Sequence, residues 1–304
     1  MTKKAEAGLR WRDRWLLSLS ARGIERTALL SWGVRSLLST NARWNGRLRY
    51  EWGADSTSLS RADKWRTMAS KELEALIDRR MQMGRLYGRG HLWPELELAA
   101  RELAEAVRAI QQKTPGRPVV VSPFHYVSEY ANIYVVDAMR AALNLKELAV
   151  VSGSPREAYG NREDVLIPGL RILHTYDENN RSGLGLRLMR ALRQERIAVL
   201  FSDAPPHTMQ RYPMETVEVS MLGRPARLHR GVFNIGSHVD AVLLCFHITF
   251  SKGHFGHRIY APIELKRDDA PQQVANCIEQ AYGDAYPNWI LADHPSRYGF
   301  APTK

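Results

Sequence analysis

From residue 119 onward the chain alternates short apolar, largely β-branched runs with stretches of helical period, and few folds accommodate that alternation. The runs fall at 119–121, 148–151, 170–173, 197–201, 217–222, 241–250 and 258–263. Segments 127–143, 182–194, 228–238 and 271–285 lie between or after them with apolar residues three and four apart. A strand followed by a helix and another strand buries both faces of a sheet. The pattern predicts an α/β fold: a single mixed, partly parallel sheet flanked by helices.

Ahead of this the texture is helical and basic. Segments 9–20 and 24–38 carry helical periodicity, and the polar, Asn-, Gly- and Ser-containing stretch 40–60 reads as a connection. Ser60-Arg-Ala-Asp63 is a capping signal for a helix running to about Met83. Pro94 suits the first turn of a helix reaching about Gln112. Two regions follow: a basic, Trp-rich helical region over 1–60, and an α/β domain over 61–304 whose strand-containing part starts after the glycines at 84–90.

Charge is concentrated at the N-terminus. The chain of 304 residues carries +11, and its first fifty residues hold eleven basic against three acidic side chains. Six of the eight tryptophans lie at 11, 15, 32, 44, 52 and 65. Basic residues interleaved with Trp and Leu suit an anionic bilayer surface. The same composition suits a solvated helical layer, an acidic protein such as an acyl carrier protein, or nucleic acid. Nucleic acid rests on charge alone and is not adopted as a partner.

Other classes are excluded more directly. Apolar and charged fractions of 44% and 25% are globular, not disordered. Two cysteines, Cys245 and Cys277, cannot build a disulfide scaffold or a cysteine zinc site. No run of about 18 apolar residues offers a spanning helix, and the interrupted apolar start fits a cleavable leader poorly. The expected location is therefore cytoplasmic, with peripheral contact at the inner face of the inner membrane as a further option. His254 and His257 lack a third metal ligand nearby, Gly183 and Gly185 lack the third glycine of a dinucleotide loop, and neither a Walker loop nor a Gly-x-Ser-x-Gly elbow is present.

Three segments carry chemistry. In Val119-Val-Val-Ser-Pro-Phe-His125-Tyr-Val-Ser-Glu129, a buried strand delivers His125 to the sheet's carboxyl edge, and Glu129 enters the first turn of the next helix. A histidine there acts as general base when a carboxylate holds its other nitrogen; alternatively it caps backbone groups. A second strand, 197–201, ends at Asp203, which either lines the same edge or caps the following turn. In Met221-Leu-Gly-Arg224-Pro-Ala-Arg227-Leu-His-Arg230, three arginines precede a helix expected to start near His229. They either converge on an anion or decorate a tight hairpin.

In order and spacing these segments resemble the lysophospholipid-acyltransferase-like superfamily, and more narrowly the bacterial lipid A late (lauroyl/myristoyl) acyltransferases. The likeness spans roughly 90–300: Trp93-Pro-Glu-Leu-Glu97 leading a helix, the His125/Glu129 segment, 197–203, Met221-Leu-Gly-Arg-Pro-Ala226, and a Trp-containing tail from Pro287-Asn-Trp289. Those enzymes usually place four residues between His and acid, whereas three stand here, and they usually carry an N-terminal spanning helix.

The resemblance implies acyl transfer from a thioester co-substrate, acyl carrier protein or coenzyme A, to a hydroxyl or amine of a lipid or secondary metabolite, with no bound cofactor and no metal. It implies His125 as base, Glu129 as its orienting acid, and Asp203, Arg224, Arg227 and Arg230 toward substrate. A non-catalytic scaffold of the same fold, binding lipid or an acyl carrier protein, is the alternative.

Overall fold

The computed structural model describes residues 11–54, 59–88, 92–152, 167–174, 183–206, 215–293 and 300. Within them the α/β expectation holds. Five parallel strands form the body of one sheet: β1 (Val119–Pro123), β2 (Leu148–Ser152), β3 (Leu170–His174), β4 (Ile197–Val199) and β7 (Val242–Ser251). The order β3-β2-β4-β1-β7-β8 ends with β8 (His254–Ile259) antiparallel to β7, and β9 (Ile263–Glu264) pairs with the start of β7. A separate hairpin, β5 (Thr216–Met221) and β6 (Arg224–His229), turns at Leu222-Gly223, both in the left-handed region.

Among the described residues the helices between strands are α7 (Glu129–Ala142), α8 (Leu184–Gln194) and α9 (Gly231–His238), and α10 (Ala270–Ala285) follows the last strand. Before the sheet come α1 (Trp11–Ser18), α2 (Ala21–Leu38), α3 (Thr40–Ala54), α4 (Arg61–Met68), α5 (Ser70–Leu86) and α6 (Pro94–Lys113). Ser60 and Asp63 form the reciprocal capping box of α4, and Pro94 occupies the first turn of α6.

Before the sheet, two expectations change. The stretch 40–60 contains α3 rather than a connection, and the helix from Ser60 breaks at Ala69 into α4 and α5. In α3, packing overrides composition. Buried Arg49 donates to the Trp289 carbonyl at 2.8 Å, and its own carbonyl accepts the Tyr286 hydroxyl at 2.6 Å. Gly53 lies flat on the Tyr286 ring, where a Cβ would overlap ring atoms. Tertiary contact thus stabilises a helix whose Asn and Gly residues argue against one.

One core joins both regions. Leu16, Ile24 and Ala28 of α1 and α2 are continuous with Ile77 and Met81 of α5, the sheet, and Tyr286 and Trp289 near the C-terminus. No described helix is long and apolar enough to cross a membrane.

Candidate active site

His125 and Asp203 arrive at one place because β1 and β4 are neighbours in register. Val119 faces Ile197 and Val121 faces Val199 in the parallel ladder. Each chemical residue lies six positions beyond the start of its strand, so the register carries them out side by side. Buried Ser122 and Ser202 tie the two exits together: their hydroxyls are 2.7 Å apart, and the Ser202 N–H donates to Ser122 Oγ at 3.0 Å. The chain leaves β1 toward β2 and leaves β4 toward β7, opposite directions across the sheet. Open α/β sheets bind ligands at such carboxyl ends.

Both Asp203 oxygens hold His125. Oδ1 lies 2.7 Å from ring Nδ1, and Oδ2 accepts the His125 backbone N–H at 2.7 Å. A carboxylate accepts only, so Nδ1 carries the proton and Nε2 presents its lone pair. No bond from Nε2 to a described residue is present, and the His125 side chain retains 16% exposure while Asp203 retains 1%. The imidazole is therefore reachable and its partner is not. Phe201 lies against the ring at 4.5 Å between centroids.

Burial works against the imidazolium. The charge and hydrogen bond of Asp203, with the more distant charges of Glu129 and Glu74, outweigh it and raise the His125 pKa above the ordinary histidine value.

The loop carrying His125 is clamped from several elements. Ile290 N–H donates to the His125 carbonyl at 2.9 Å, and Val127 N–H donates to the Asn288 carbonyl at 2.7 Å. Buried Asn132 donates its amide to the carbonyls of Tyr126 and Ser128, each at 3.0 Å. Val127 has φ +67°. For a β-branched residue this left-handed conformation costs about 1–2 kcal/mol, and such strain persists where surrounding contacts over-determine the backbone. Ser128 caps α7 through the Ala131 N–H and donates to Asp78 of α5. Burial, the largest influence on Asp78, raises its carboxyl pKa to about 7.

The other expected site residues are placed differently. Asp203, expected toward substrate, is the acid on Nδ1; Glu129, expected in that role, is an exposed first residue of α7 and acts on the ring only through its charge. With three intervening residues, one of them left-handed, the helix starts too late to return its carboxylate to Nδ1.

The arginines do not converge on the pair. Arg224 is exposed at the hairpin turn, Arg227 bonds Glu218 and Thr216 across the hairpin, and Arg230 is exposed just before α9, which starts at Gly231 rather than near His229. No contact between them and His125 or Asp203 is present among the described residues. His254 and His257 lie at the start of and within β8, beside Glu95 and Glu102 of α6, and no described cluster of His, Cys, Asp and Glu could hold a metal ion.

Ser122, Ser202, Asn132 and Asn288 were not singled out by the sequence. The equal offset of His125 and Asp203 from their strands is the one local signal for their pairing. No family profile and no curated protein matches this chain.

Proposed function

We propose that the protein is an acyltransferase that moves a fatty acyl group from a thioester, on acyl carrier protein or coenzyme A, to a hydroxyl or amine. The observation carrying this reading is the Asp203-held imidazole with its bare Nε2 at the exits of two adjacent parallel strands. The resemblance of segments 90–300 to the lipid A late acyltransferases supplies the reaction class.

In this reading Nε2 takes the acceptor's proton as its oxygen or nitrogen attacks the thioester carbonyl carbon. The carbon–sulfur bond breaks, and the departing sulfur takes the proton back from Nε2, leaving an ester or amide and a free thiol. Asp203 holds the productive tautomer and stabilises the transient imidazolium. The Ser122–Ser202 bridge and the clamp from 288–290 fix the ring's position, which matters because small misplacements cost rate steeply. Phe201 gives the ring an apolar neighbour. The site is reached from the cytoplasmic side in this proposal, where both thioester donors occur.

Incubating the purified chain with radiolabelled acyl carrier protein or acyl coenzyme A thioesters and a lipid extract tests the reading. Label is expected to move to an acceptor with the wild type and not with a folded His125→Ala variant. Equal transfer by both would remove His125 from the chemistry. No transfer by the wild type, with retained binding of the carrier protein, would replace the enzyme by a scaffold of the same fold.

A further inference from the structure

The outer side of α2 has no protein partner among the described residues. Leu30, Val34, Leu37 and Leu38 are 71%, 58%, 79% and 83% exposed. Their spacing of four, three and one places them on one stripe of the helix. Four large aliphatic side chains in line form a patch rather than scattered surface leucines.

Beside that stripe lies a cavity of about 620 Å³ between α2, α4 and the β7–β8 turn. Arg22, Arg26, Glu25, Leu29, Trp32 and Gly33 contribute from α2, Trp65 and Arg66 from α4, and Lys252 from the turn. Arg66 is neutralised by Glu25 at 3.0 Å. Arg22, Arg26 and Lys252 form no ion pair among the described residues, which leaves the cavity cationic. Trp65, 56% exposed and edge-on to Trp32 at 5.7 Å, forms an aromatic wall.

The turn is held there by contact. Gly253, at φ +76°, lies so close to Arg22 that a Cβ would come within 2.6 Å of its Cα. Arg26 and Gly33 border the cavity, and each lies one turn from a member of the stripe, Leu30 and Leu37. Cations and exposed apolar side chains therefore share one side of the molecule.

We propose that this side of α2 docks on an anionic phospholipid bilayer, with a lipid phosphate among Arg22, Arg26 and Lys252 and the leucine stripe entering the acyl boundary. Charge complementarity favours a lipid over a neutral apolar partner, and the stripe favours it over an acidic protein surface, which would leave four leucines and valines against polar groups. Trp65 is placed for the headgroup zone, where indole rings concentrate. The proposal concerns binding alone, so its failure would leave the transferase reading standing, and the reverse.

Co-sedimentation of the full chain with vesicles is the test. Vesicles of phosphatidylcholine alone are compared with vesicles holding about a third phosphatidylglycerol, a strongly anionic surface. Binding is expected only to the second and is expected to weaken with salt. Replacing Arg22, Arg26 and Lys252 by Gln is expected to weaken it roughly a hundredfold, at about fivefold per charge. Leu30→Ser with Leu37→Ser is expected to weaken it by roughly tenfold or more. All five positions are exposed, and unchanged thermal melting shows that the variants fold. Equal binding to both vesicles, or selective binding untouched by either set of changes, overturns the proposal. So does an absence of vesicle binding together with charge-dependent capture of an acyl carrier protein.

Discussion

Replacing Asp203 by Asn separates the two carboxylates near His125. In the structure one carboxylate satisfies two donors, ring Nδ1 and the His125 backbone, each at 2.7 Å. An amide has a single oxygen. If that oxygen keeps the backbone N–H, the NH₂ faces Nδ1, the imidazole must turn Nδ1 into an acceptor, and the proton moves to Nε2. The base then has no lone pair for the acceptor.

The charge is lost as well. Unit charges about 4 Å apart at an effective dielectric near 20 interact by about 4 kcal/mol, roughly a thousandfold in rate when the imidazolium forms. Adding the tautomer penalty, kcat/KM is expected to fall by about 10³- to 10⁴-fold. The assay is steady-state acyl transfer from about pH 5 to 9, which brackets histidine titration. The wild type is expected to gain activity as pH rises through a His125 pKa above the ordinary histidine value, because only the neutral ring accepts a proton. The variant's residual activity is expected to titrate at lower pH, since the raising charge is gone. A folded variant within about tenfold of wild type would refute the assignment of Asp203 as partner.

Further outcomes follow from the same geometry. Glu129→Gln is expected to cost less than about fivefold in kcat/KM and to shift the acid limb slightly downward; a loss matching Asp203→Asn would return the orienting role to Glu129. Gly53→Ala drives a methyl into the buried Tyr286 ring and is expected to destabilise the protein by about 1–3 kcal/mol in urea unfolding, whereas an unchanged midpoint would show that the ring can move. Buried His247 has its pKa lowered to about 4 by desolvation. The native state therefore binds fewer protons than the unfolded chain below pH 6.5, and stability should decline by about 3 kcal/mol as pH falls from there toward 4. His247→Phe should flatten that decline in urea titrations, and an unchanged slope would place its origin elsewhere.

The strand–helix alternation was legible because buried parallel strands are short and uniformly apolar, so periodicity alone exposes them. The capping box at Ser60 and the proline at 94 were legible because each acts within a turn. α3 was not, because its glycines mark places where Trp32 and Tyr286 press on the helix, a contact no local pattern records. His125 was legible as a strand-end histidine. Its partner was sought four residues away, while the structure supplies it from 78 residues along the chain through strand register. The arginine cluster read as one locus because seven residues hold three of them. Arg224 and Arg227 stand three residues apart on β6, where extended backbone alternates their directions, and Arg230 lies beyond the strand in helical backbone just before α9.

Arg49 has a consequence for how this chain can be dissected. Its guanidinium holds the Trp289 carbonyl, and the next residue's amide holds the carbonyl of His125. Two links thus separate the amino-terminal helices from the His125 residue. Excising those helices to obtain a smaller fragment would strip a buried carbonyl and a tyrosine hydroxyl of their partners and slacken the peptide on which the imidazole is mounted. Among the described residues, α3 therefore supports the segment that carries His125, so deletion variants would mix the proposed lipid attachment with the proposed chemistry, and point changes on the outward side of α2 are the cleaner instrument.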